Sequence, residues 1–427
     1  MHRTANILAI GDELILGQRT DTNSARIAAA LSERGVRVLQ HATEDDDRQR
    51  LALAITRLTA DADLLVITGG LGPTADDLTR QALADAAGED LVTDDIALSD
   101  LRAFYAARNR PMPETNTVQA LRPESGECLR NPNGTAPGLF IRFNECDVLA
   151  LPGPPSEMLP ILHRELETRL RSDAVIATRQ LQTFGLGESN VAELLGDLMD
   201  RDRDPLVGTT ASGGIVSVRL RCEREATQDA AARALDNTER LVRDRLGPIV
   251  FHTGPEDDAL ARTVLAELES RDQSLATVES CTAGGLGARI TEVPGASAAF
   301  VGGLITYSNN LKTKLAHVPG ATLDAHGAVS REVAVAMAEG GREQLGSTHA
   351  LAVTGIAGPD GGSPDKPVGT VWIALASEGQ ATDARCFRIT GSREQVRART
   401  AIVALGMLRL RLAGHDMALI WQAEPKS

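Results

Sequence analysis

Residues 63–74 read DLLVITGGLGPT, an apolar run that passes directly into a glycine-rich turn. The run is typical of a buried strand, and the residues that follow it, 76–87, have the spacing of a helix. Further strands are predicted at 6–10, 36–40 and 147–151, with helices at 22–34 and 47–59. Because strands and helices alternate, we predict a parallel sheet covered on both faces, in a three-layer α/β domain over residues 1–172.

Two further domains are predicted beyond this one. Residues 173–252 contain an alternating strand at 215–222 and a helix at 225–246, which indicate a small α+β connector module. We expect this module to provide the contacts of a homodimer. Residues 255–415 contain predicted strands at 275–278, 300–307, 350–354 and 368–376, separated by helices. This pattern predicts a second α/β domain.

The composition of the chain argues against nucleic-acid-binding, membrane and secreted proteins. The chain has 427 residues, 42% of them hydrophobic, and a formal net charge of −14. A charge of this sign argues against a nucleic-acid partner, because phosphate contacts need basic surfaces. No apolar run reaches the roughly 20 residues that span a bilayer, and no secretory leader is recognisable. The five cysteines are scattered without metal spacing, so we expect a cytoplasmic protein with free thiols and no membrane partner.

The turn at 69–74 is the first candidate site. Gly69, Gly70 and Gly72 let backbone N–H groups approach an anion at the carboxyl end of a strand, and Thr74 closes the turn. Asp76 and Asp77 follow, and two carboxylates beside a phosphate cradle favour a bridging divalent cation. The alternative is a plain turn in which both carboxylates only interact with the helix dipole.

The second candidate site begins at Ser280, which lies between a predicted strand and Gly284-Gly285. Tyr307 and Lys312 follow the next apolar run. Ser, Lys and Tyr are the residue types of a hydrolase that works without histidine, with serine as nucleophile and a neutral lysine as base. The spacing is equally typical of a phosphate-binding turn or a helix cap. A nucleophilic Cys281 is a further alternative, although no histidine is paired with it.

A glycine-rich loop at 354–362 could bind a phosphate. Thr354, Gly355 and Gly358 are its candidate ligand contacts, and Arg397 with Arg399 in the last helix could add positive charge. The alternative is a surface loop with solvated arginines. The histidines at 317, 326 and 349 lack ligand spacing, so no metal is assigned to this domain.

Four motifs of the first domain resemble the amino-terminal half of the CinA family: GDELILGQ at 11–18, TGGLGPTADD at 68–77, NGTAPG at 133–138 and LPGPPSEM at 151–158. The resemblance implies a molybdopterin-binding-like fold and a phosphorylated, nucleotide-like ligand, with Gly153 and Ser156 among its contacts. It also implies metal-dependent ADP-ribose pyrophosphatase activity in some members. Val118 departs from the basic residue that the family often has at this point.

The last domain resembles the other half of CinA, which also occurs alone as nicotinamide mononucleotide amidase. The matching motifs are ESCT at 279–282, PGAS at 294–297, TYSN at 306–309, GAVS at 327–330, TGIAGP at 354–359 and KPVGTVW at 366–372. The family often has glycine at the position of Ala283 and a larger apolar residue at that of Gly285.

The resemblance implies hydrolysis of the nicotinamide carboxamide without a cofactor. Ser280 would attack, Lys312 would be the base, Tyr307 would share the proton path and Thr282 would contact the substrate. Backbone N–H groups of residues 281–284 would stabilise the oxyanion. The alternatives are an ADP-ribose pyrophosphatase only, or a non-catalytic, competence-associated protein that binds nucleotides. All three hypotheses have small-molecule nucleotides as partners. The pyrophosphatase alternative predicts metal-dependent phosphate-bond cleavage, and the non-catalytic alternative predicts nucleotide binding with no product.

Overall fold

The computed structural model describes residues 2–170, 175–225 and 227–415. These residues form two compact units, one made of residues up to 177 with 222–232, the other of 178–221 with the residues from 233 onward. No helix in the described ranges is long and apolar enough to cross a membrane.

The first unit is a three-layer α/β structure. Its main sheet has six strands in the order β2-β1-β3-β8-β7-β6. The elements of this unit are β1 (Thr4–Ile10), α1 (Asp12–Ile15), α2 (Asn23–Ser32), β2 (Arg37–Glu44), α3 (Arg48–Thr59), β3 (Leu64–Thr68), α4 (Thr79–Ala87), β4 (Leu91–Thr93), α5 (Asp95–Ala106), β5 (Leu121–Pro123), β6 (Glu127–Leu129), β7 (Gly138–Phe143), β8 (Cys146–Leu151) and α6 (Pro155–Arg169).

Both faces of the central strands are buried, as the continuous apolar run of β3 predicts. Leu65 and Ile67 pack in one cluster with residues of α3 and α4. Leu64 and Val66 point the other way and pack with residues of α2 and α6. Successive residues of a strand face opposite sides, so one apolar strand holds both helical layers. The predicted α/β class is confirmed.

The sheet is parallel only in part. Strands β2, β1, β3 and β8 are parallel, whereas β7 is antiparallel to β8 and β6 is in turn antiparallel to β7. A two-residue turn joins β7 to β8, and both its residues, Asn144 and Glu145, have positive φ angles of 51° and 58°. Turns of this type match the twist of a hairpin. The predicted parallel sheet therefore forms the four-strand core of the observed sheet, and β7 introduces antiparallel pairing at one edge.

The second unit contains two sheets. The sheet of the middle module has the order β10-β11-β9-β12, and that of the last domain has the order β14-β13-β15-β16-β17. The elements that lie wholly or mainly in this unit are β9 (Ala177–Phe184), α7 (Glu188–Leu195), β10 (Leu206–Ser212), β11 (Ile215–Cys222), α8 (Gln228–Leu246), β12 (Val250–Thr253), α9 (Ala259–Ser270), β13 (Leu275–Glu279), α10 (Gly285–Thr291), β14 (Phe300–Ile305), α11 (Asn309–Ala316), α12 (Gly320–His326), α13 (Arg331–Leu345), β15 (His349–Gly355), β16 (Thr370–Ser377), β17 (Gln380–Arg388) and α14 (Arg393–Leu412).

The parallel strands of the last domain bring distant segments to one edge. Glu279 at the end of β13 lies opposite Ile305 of β14 and Val353 of β15. The carboxyl ends of parallel strands in an open sheet are the usual place for a ligand. Ser280, Thr306 and Thr354 therefore meet there, although they come from three separate stretches of the chain.

Candidate active site

Ser280 and Lys312 form a buried pair at this edge. The Nζ of Lys312 lies 3.0 Å from the Oγ of Ser280, and it also donates to the carbonyls of Thr306 at 2.9 Å and Tyr307 at 3.3 Å. Lys312 is 1% exposed, and no carboxylate of the described chain forms an ion pair with it. Burial lowers the pKa of this lysine, because the charged form loses its hydration.

The elements around the pair hold each side chain in place. Ser280 follows β13 directly, and its N–H donates to the carbonyl of Val353 at 3.0 Å, so the ladder extends to the serine. Lys312 lies in the first turn of α11, whose start is capped by the Ser308 side chain accepting from the N–H of Leu311. The cap fixes the start of the helix and therefore the direction of Lys312.

Glu279 anchors the turn that carries Ser280. Its carboxylate is buried and accepts from the N–H groups of Leu286 at 3.0 Å and Gly287 at 2.8 Å, at the start of α10. These N–H groups are consequently engaged by the protein itself. Within the turn, the N–H of Ala283 donates to the carbonyl of Ser280 and is also engaged. The N–H of Ala283, one of the predicted oxyanion donors, is therefore not free to bind an oxyanion.

A cavity of about 220 Å³ opens beside the pair. Tyr307 lies in the loop after β14 and is 57% exposed at its mouth. The Arg393 guanidinium donates to the hydroxyl of Tyr307 at 3.2 Å and to the carbonyl of Gly358 at 2.7 Å. Arg393 is absent from the predicted site residues, although the sequence predicts a helix that begins at it. The signal was the capping box of Ser392 and Gln395, which places Arg393 first in α14.

The other candidate residues of this domain divide into two groups. Thr354 and Gly355 line the cavity, and the Thr354 hydroxyl donates to the carbonyl of Ala328 at 2.7 Å. Thr282 is fully buried and is not part of the lining. Arg397 donates to the Thr282 carbonyl at 2.7 Å, so it braces the serine turn instead of lining the cavity.

The remaining two positions also serve the protein's own backbone. Gly358 contributes its carbonyl to Arg393, and Arg399 donates to the carbonyl of Thr390 at 3.0 Å. Cys281 does line the cavity, but burial raises the pKa of its thiol to about 12. A thiol with such a pKa is not a thiolate near neutral pH, which disfavours the cysteine alternative.

The glycine-rich turn of the first unit borders a separate cavity of about 390 Å³. Gly69, Gly70, Gly72 and Gly153 line it. Gly69 and Gly70 have φ angles of 107° and 64°, and a Cβ on Gly70 would lie 2.3 Å from the hydroxyl of Thr79. Glycine is therefore required for this path of the chain. Thr74 and Ser156, by contrast, are not among the lining residues.

Asp76 and Asp77 also border this cavity, but α4 begins at Thr79, so the predicted helix start at 76 is wrong. The carboxylate of Asp77 keeps these residues in the turn, since it accepts from the N–H groups of Gly72 at 2.7 Å and Thr74 at 2.9 Å. The fully buried Arg80 donates to the carbonyls of Leu71 and Gly72. Arg80, a residue that the prediction missed, therefore supports the turn from behind.

This arrangement does not fit a divalent metal. Both oxygens of Asp77 are already used by the turn, and no group of three or more His, Cys, Asp or Glu side chains in the described ranges is placed to hold an ion. Hard cations such as Mg²⁺ bind through free carboxylate oxygens and water. Asp77 thus shapes the turn.

Comparisons with known proteins cover nearly the whole chain. Residues 6–172 match the family described as "Probable molybdopterin binding domain", 178–251 the "Damage-inducible protein CinA KH domain" and 257–412 the "CinA C-terminal domain". A CinA-like protein of Geobacter metallireducens is 42% identical over 414 residues, covering 96% of this chain and 99% of the relative. A CinA-like protein of Gemmatimonas aurantiaca is 40% identical over 421 residues, covering 96% and 97%.

Among solved structures, the competence/damage inducible protein CihA from Agrobacterium tumefaciens is 37% identical. The match covers 37% of this chain and 97% of that protein, with a TM-score of 0.36. The resemblance drawn from the sequence motifs is confirmed by the family matches and by the full-length relatives. The domain boundaries at 172, 252 and 255 stay predictions.

Proposed function

Since the chain belongs to the CinA family, we propose that its last domain is an amidase that converts nicotinamide mononucleotide and water into nicotinate mononucleotide and ammonia. The observation that carries this proposal is the contact of 3.0 Å between the Ser280 Oγ and the Nζ of a buried Lys312 that has no carboxylate partner in the described chain. A serine next to a lysine that is held partly neutral is an activated nucleophile.

In the first half of the reaction, the Ser280 Oγ attacks the carboxamide carbon while its proton passes to the neutral Lys312 Nζ. A tetrahedral oxyanion forms. The C–N bond then breaks, and the departing nitrogen takes the proton from Lys312 and leaves as ammonia. The nicotinoyl group remains on Ser280 as an ester. The carbonyls of Thr306 and Tyr307 keep Nζ within reach of Oγ during both transfers.

In the second half, water attacks the ester carbon and gives a proton to Lys312. The bond between the carbonyl carbon and Oγ breaks, and Lys312 returns the proton to Ser280. The product forms as a carboxylic acid, which loses its remaining proton to solvent water and leaves as a carboxylate. One lysine therefore serves as base and acid in turn, which is consistent with microscopic reversibility. Tyr307 as a second proton carrier stays a prediction, because its hydroxyl contacts Arg393.

The cavity suggests how the substrate lies. Its volume of about 220 Å³ is below the ~300 Å³ of a typical ligand pocket. We infer that it encloses the nicotinamide ring and leaves the ribose phosphate at the mouth. Arg393 is the cation there, and a guanidinium is suited to hydrogen-bonding a phosphate through two N–H groups.

For the first unit, the cavity at the glycine-rich turn favours a second function, binding of a phosphate-bearing nucleotide. Backbone that only glycine can follow lies at the carboxyl end of β3, where anions bind in open sheets. ADP-ribose is the candidate ligand that the family resemblance implies. Glu13, Asp46 and Glu157 border the same cavity beside the two aspartates. Because Asp77 is engaged by the turn and no metal-holding group is found in the described ranges, the proposal for this cavity is ligand binding without a metal-dependent cleavage step.

The test is ammonia release from nicotinamide mononucleotide by the full chain, with wild type and Ser280→Ala compared. We expect release by the wild type and none by the variant. The control is Ser270→Ala, an exposed serine at the end of α9, which should keep full activity. Turnover retained by Ser280→Ala would reject the nucleophile. No ammonia from any form, with tight nucleotide binding, would favour the non-catalytic alternative.

A further inference from the structure

The middle module contains a groove whose lining is rich in arginine. Its volume is about 600 Å³, within the range of small-molecule sites. Four arginines line it, and we call it the arginine groove: Arg179, Arg201, Arg219 and Arg221. The groove shares no residue with either cavity described above. In a protein with a net charge of −14, a concave surface of this composition is unusual.

Part of the groove lies on the exposed face of β11. In β11, Val216, Val218 and Leu220 are buried, so Arg219 projects from the opposite face. On that same opposite face, Ile215 packs against the core of the last domain. The last domain therefore covers one end of this face, and the end that carries Arg219 is left open.

The residue opposite Arg219 leaves space for a ligand. Arg219 pairs across the strands with Gly208, and a Cβ built on Gly208 would meet no atom within 4 Å. A glycine in a strand often marks a place where a ligand approaches the backbone closely. The polar side chains of Thr178 and Gln180 border the same space from β9.

The guanidinium groups of the groove differ in their partners. Arg179 is held by Asp236 and Glu239 of α8, each at 2.7 Å. No ion pair or side-chain hydrogen bond is found for Arg201 or Arg219 within the described ranges. Asp200 and Asp202 flank Arg201 in sequence, yet no carboxylate belongs to the described lining. The described part of the groove is thus a concave site with two unpaired cations and no anion of its own.

From this geometry we propose that the arginine groove binds a small molecule with a phosphate or diphosphate group, held by Arg201 and Arg219. Guanidinium groups pair with phosphate oxygens through two parallel hydrogen bonds, which makes arginine the usual residue for this purpose. The lining contains no aromatic side chain in the described chain, and single-stranded nucleic acids generally need such residues for base stacking. A small phosphorylated ligand is therefore favoured over a nucleic acid.

The experiment is isothermal titration calorimetry of the full chain with inorganic pyrophosphate at low ionic strength. Arg219→Gln should weaken binding at this site by about tenfold or more, as expected for the loss of a charge-assisted hydrogen-bonded pair. The double variant Arg201→Gln/Arg219→Gln should remove this binding. The matched control is Arg240→Gln, an exposed arginine of α8 outside the groove lining, which should bind as the wild type does.

Three results would overturn the proposal: no binding by the wild type, binding unchanged in the double variant, or an equal loss in Arg240→Gln. Unchanged binding in the double variant would mean that pyrophosphate binds in another cavity. An equal loss in Arg240→Gln would mean that the weaker binding reflects the change in net charge alone. Binding of a labelled single-stranded oligonucleotide is measured as the last part of the experiment. If it binds tightly through Arg219 and pyrophosphate does not displace it, the ligand is a nucleic acid and the small-molecule assignment fails.

Discussion

Replacing Lys312 by Met tests the proposed chemistry and the electrostatics of the site together. Methionine fills a similar length without a charge or a donor. Lys312 is the proposed base, 3.0 Å from Ser280, and the other titratable residues in the described cavity lining are Cys281, Tyr307 and Arg393. General acid–base catalysis typically contributes about 10²- to 10⁴-fold. We therefore expect kcat for ammonia release to fall by that factor, about 2.7–5.4 kcal/mol of activation free energy.

The same variant has a predictable effect on stability. Burial lowers the pKa of Lys312 in the folded protein below its ordinary value of 10.5. Between the lowered pKa and the unfolded value, the unfolded chain binds more protons, so the free energy of unfolding of the wild type rises with pH. Lys312→Met lacks this slope. The stability of the variant relative to the wild type should consequently decrease as the pH approaches 10.5.

Denaturant unfolding between about pH 7 and about pH 10, together with kcat and KM for ammonia release, measures both effects. The matched control is Lys314→Met, because Lys314 is an exposed lysine of the same helix. It should keep the activity and the pH dependence of the wild type. A kcat within tenfold of the wild type in Lys312→Met, or parallel stability curves for the two proteins, would refute the assignment of a partly neutral lysine base.

Further changes test the residues around this pair. Glu279→Gln keeps the shape of the side chain but turns an amide N–H₂ group toward one of the two backbone N–H donors. We expect the free energy of unfolding to fall by about 1–3 kcal/mol, measured by denaturation. Steady-state kinetics should show a lower kcat at unchanged KM. Arg393→Gln should raise KM for nicotinamide mononucleotide about tenfold or more and leave the unphosphorylated riboside unaffected; equal effects on both substrates would contradict a phosphate contact. Cys281→Ala should keep most of the activity, and its inactivation without unfolding would revive the cysteine nucleophile. Asp77→Asn should lower the midpoint of thermal unfolding of the first unit, measured by scanning calorimetry, because an amide nitrogen cannot accept from the N–H groups of Gly72 or Thr74. An unchanged midpoint would show that these hydrogen bonds add little to the stability of the unit.

Much of the fold followed from local pattern. An apolar run such as 64–67 buries both faces of a strand, and this requires helices on both sides. The antiparallel edge was harder to predict from the sequence, because β6 has three residues and the β7–β8 turn uses Asn144 and Glu145 instead of glycine. Strand β17 is absent from the prediction because Gln380–Arg388 is largely polar and shows little alternation.

The start of α4 shows how a side chain can overrule a local pattern. Residues 76–87 have helical spacing, and two aspartates are favourable in a first turn. The carboxylate of Asp77 instead accepts from N–H groups of the preceding turn, and the helix begins at Thr79. Such a bond is invisible in the sequence, because it depends on the path of a loop that only glycines permit.

The sequence by itself determined the family, the α/β class and the three candidates Ser280, Tyr307 and Lys312, since these depend on motifs and on residues next to strand ends. Only the tertiary structure decided what each side chain contacts. Arg393 and Arg397 lie one helical turn apart in α14, yet the first reaches the cavity mouth and the second braces the carbonyl of Thr282. Helical spacing places both arginines on one face, and the packing of α14 against elements distant in sequence selects their different partners.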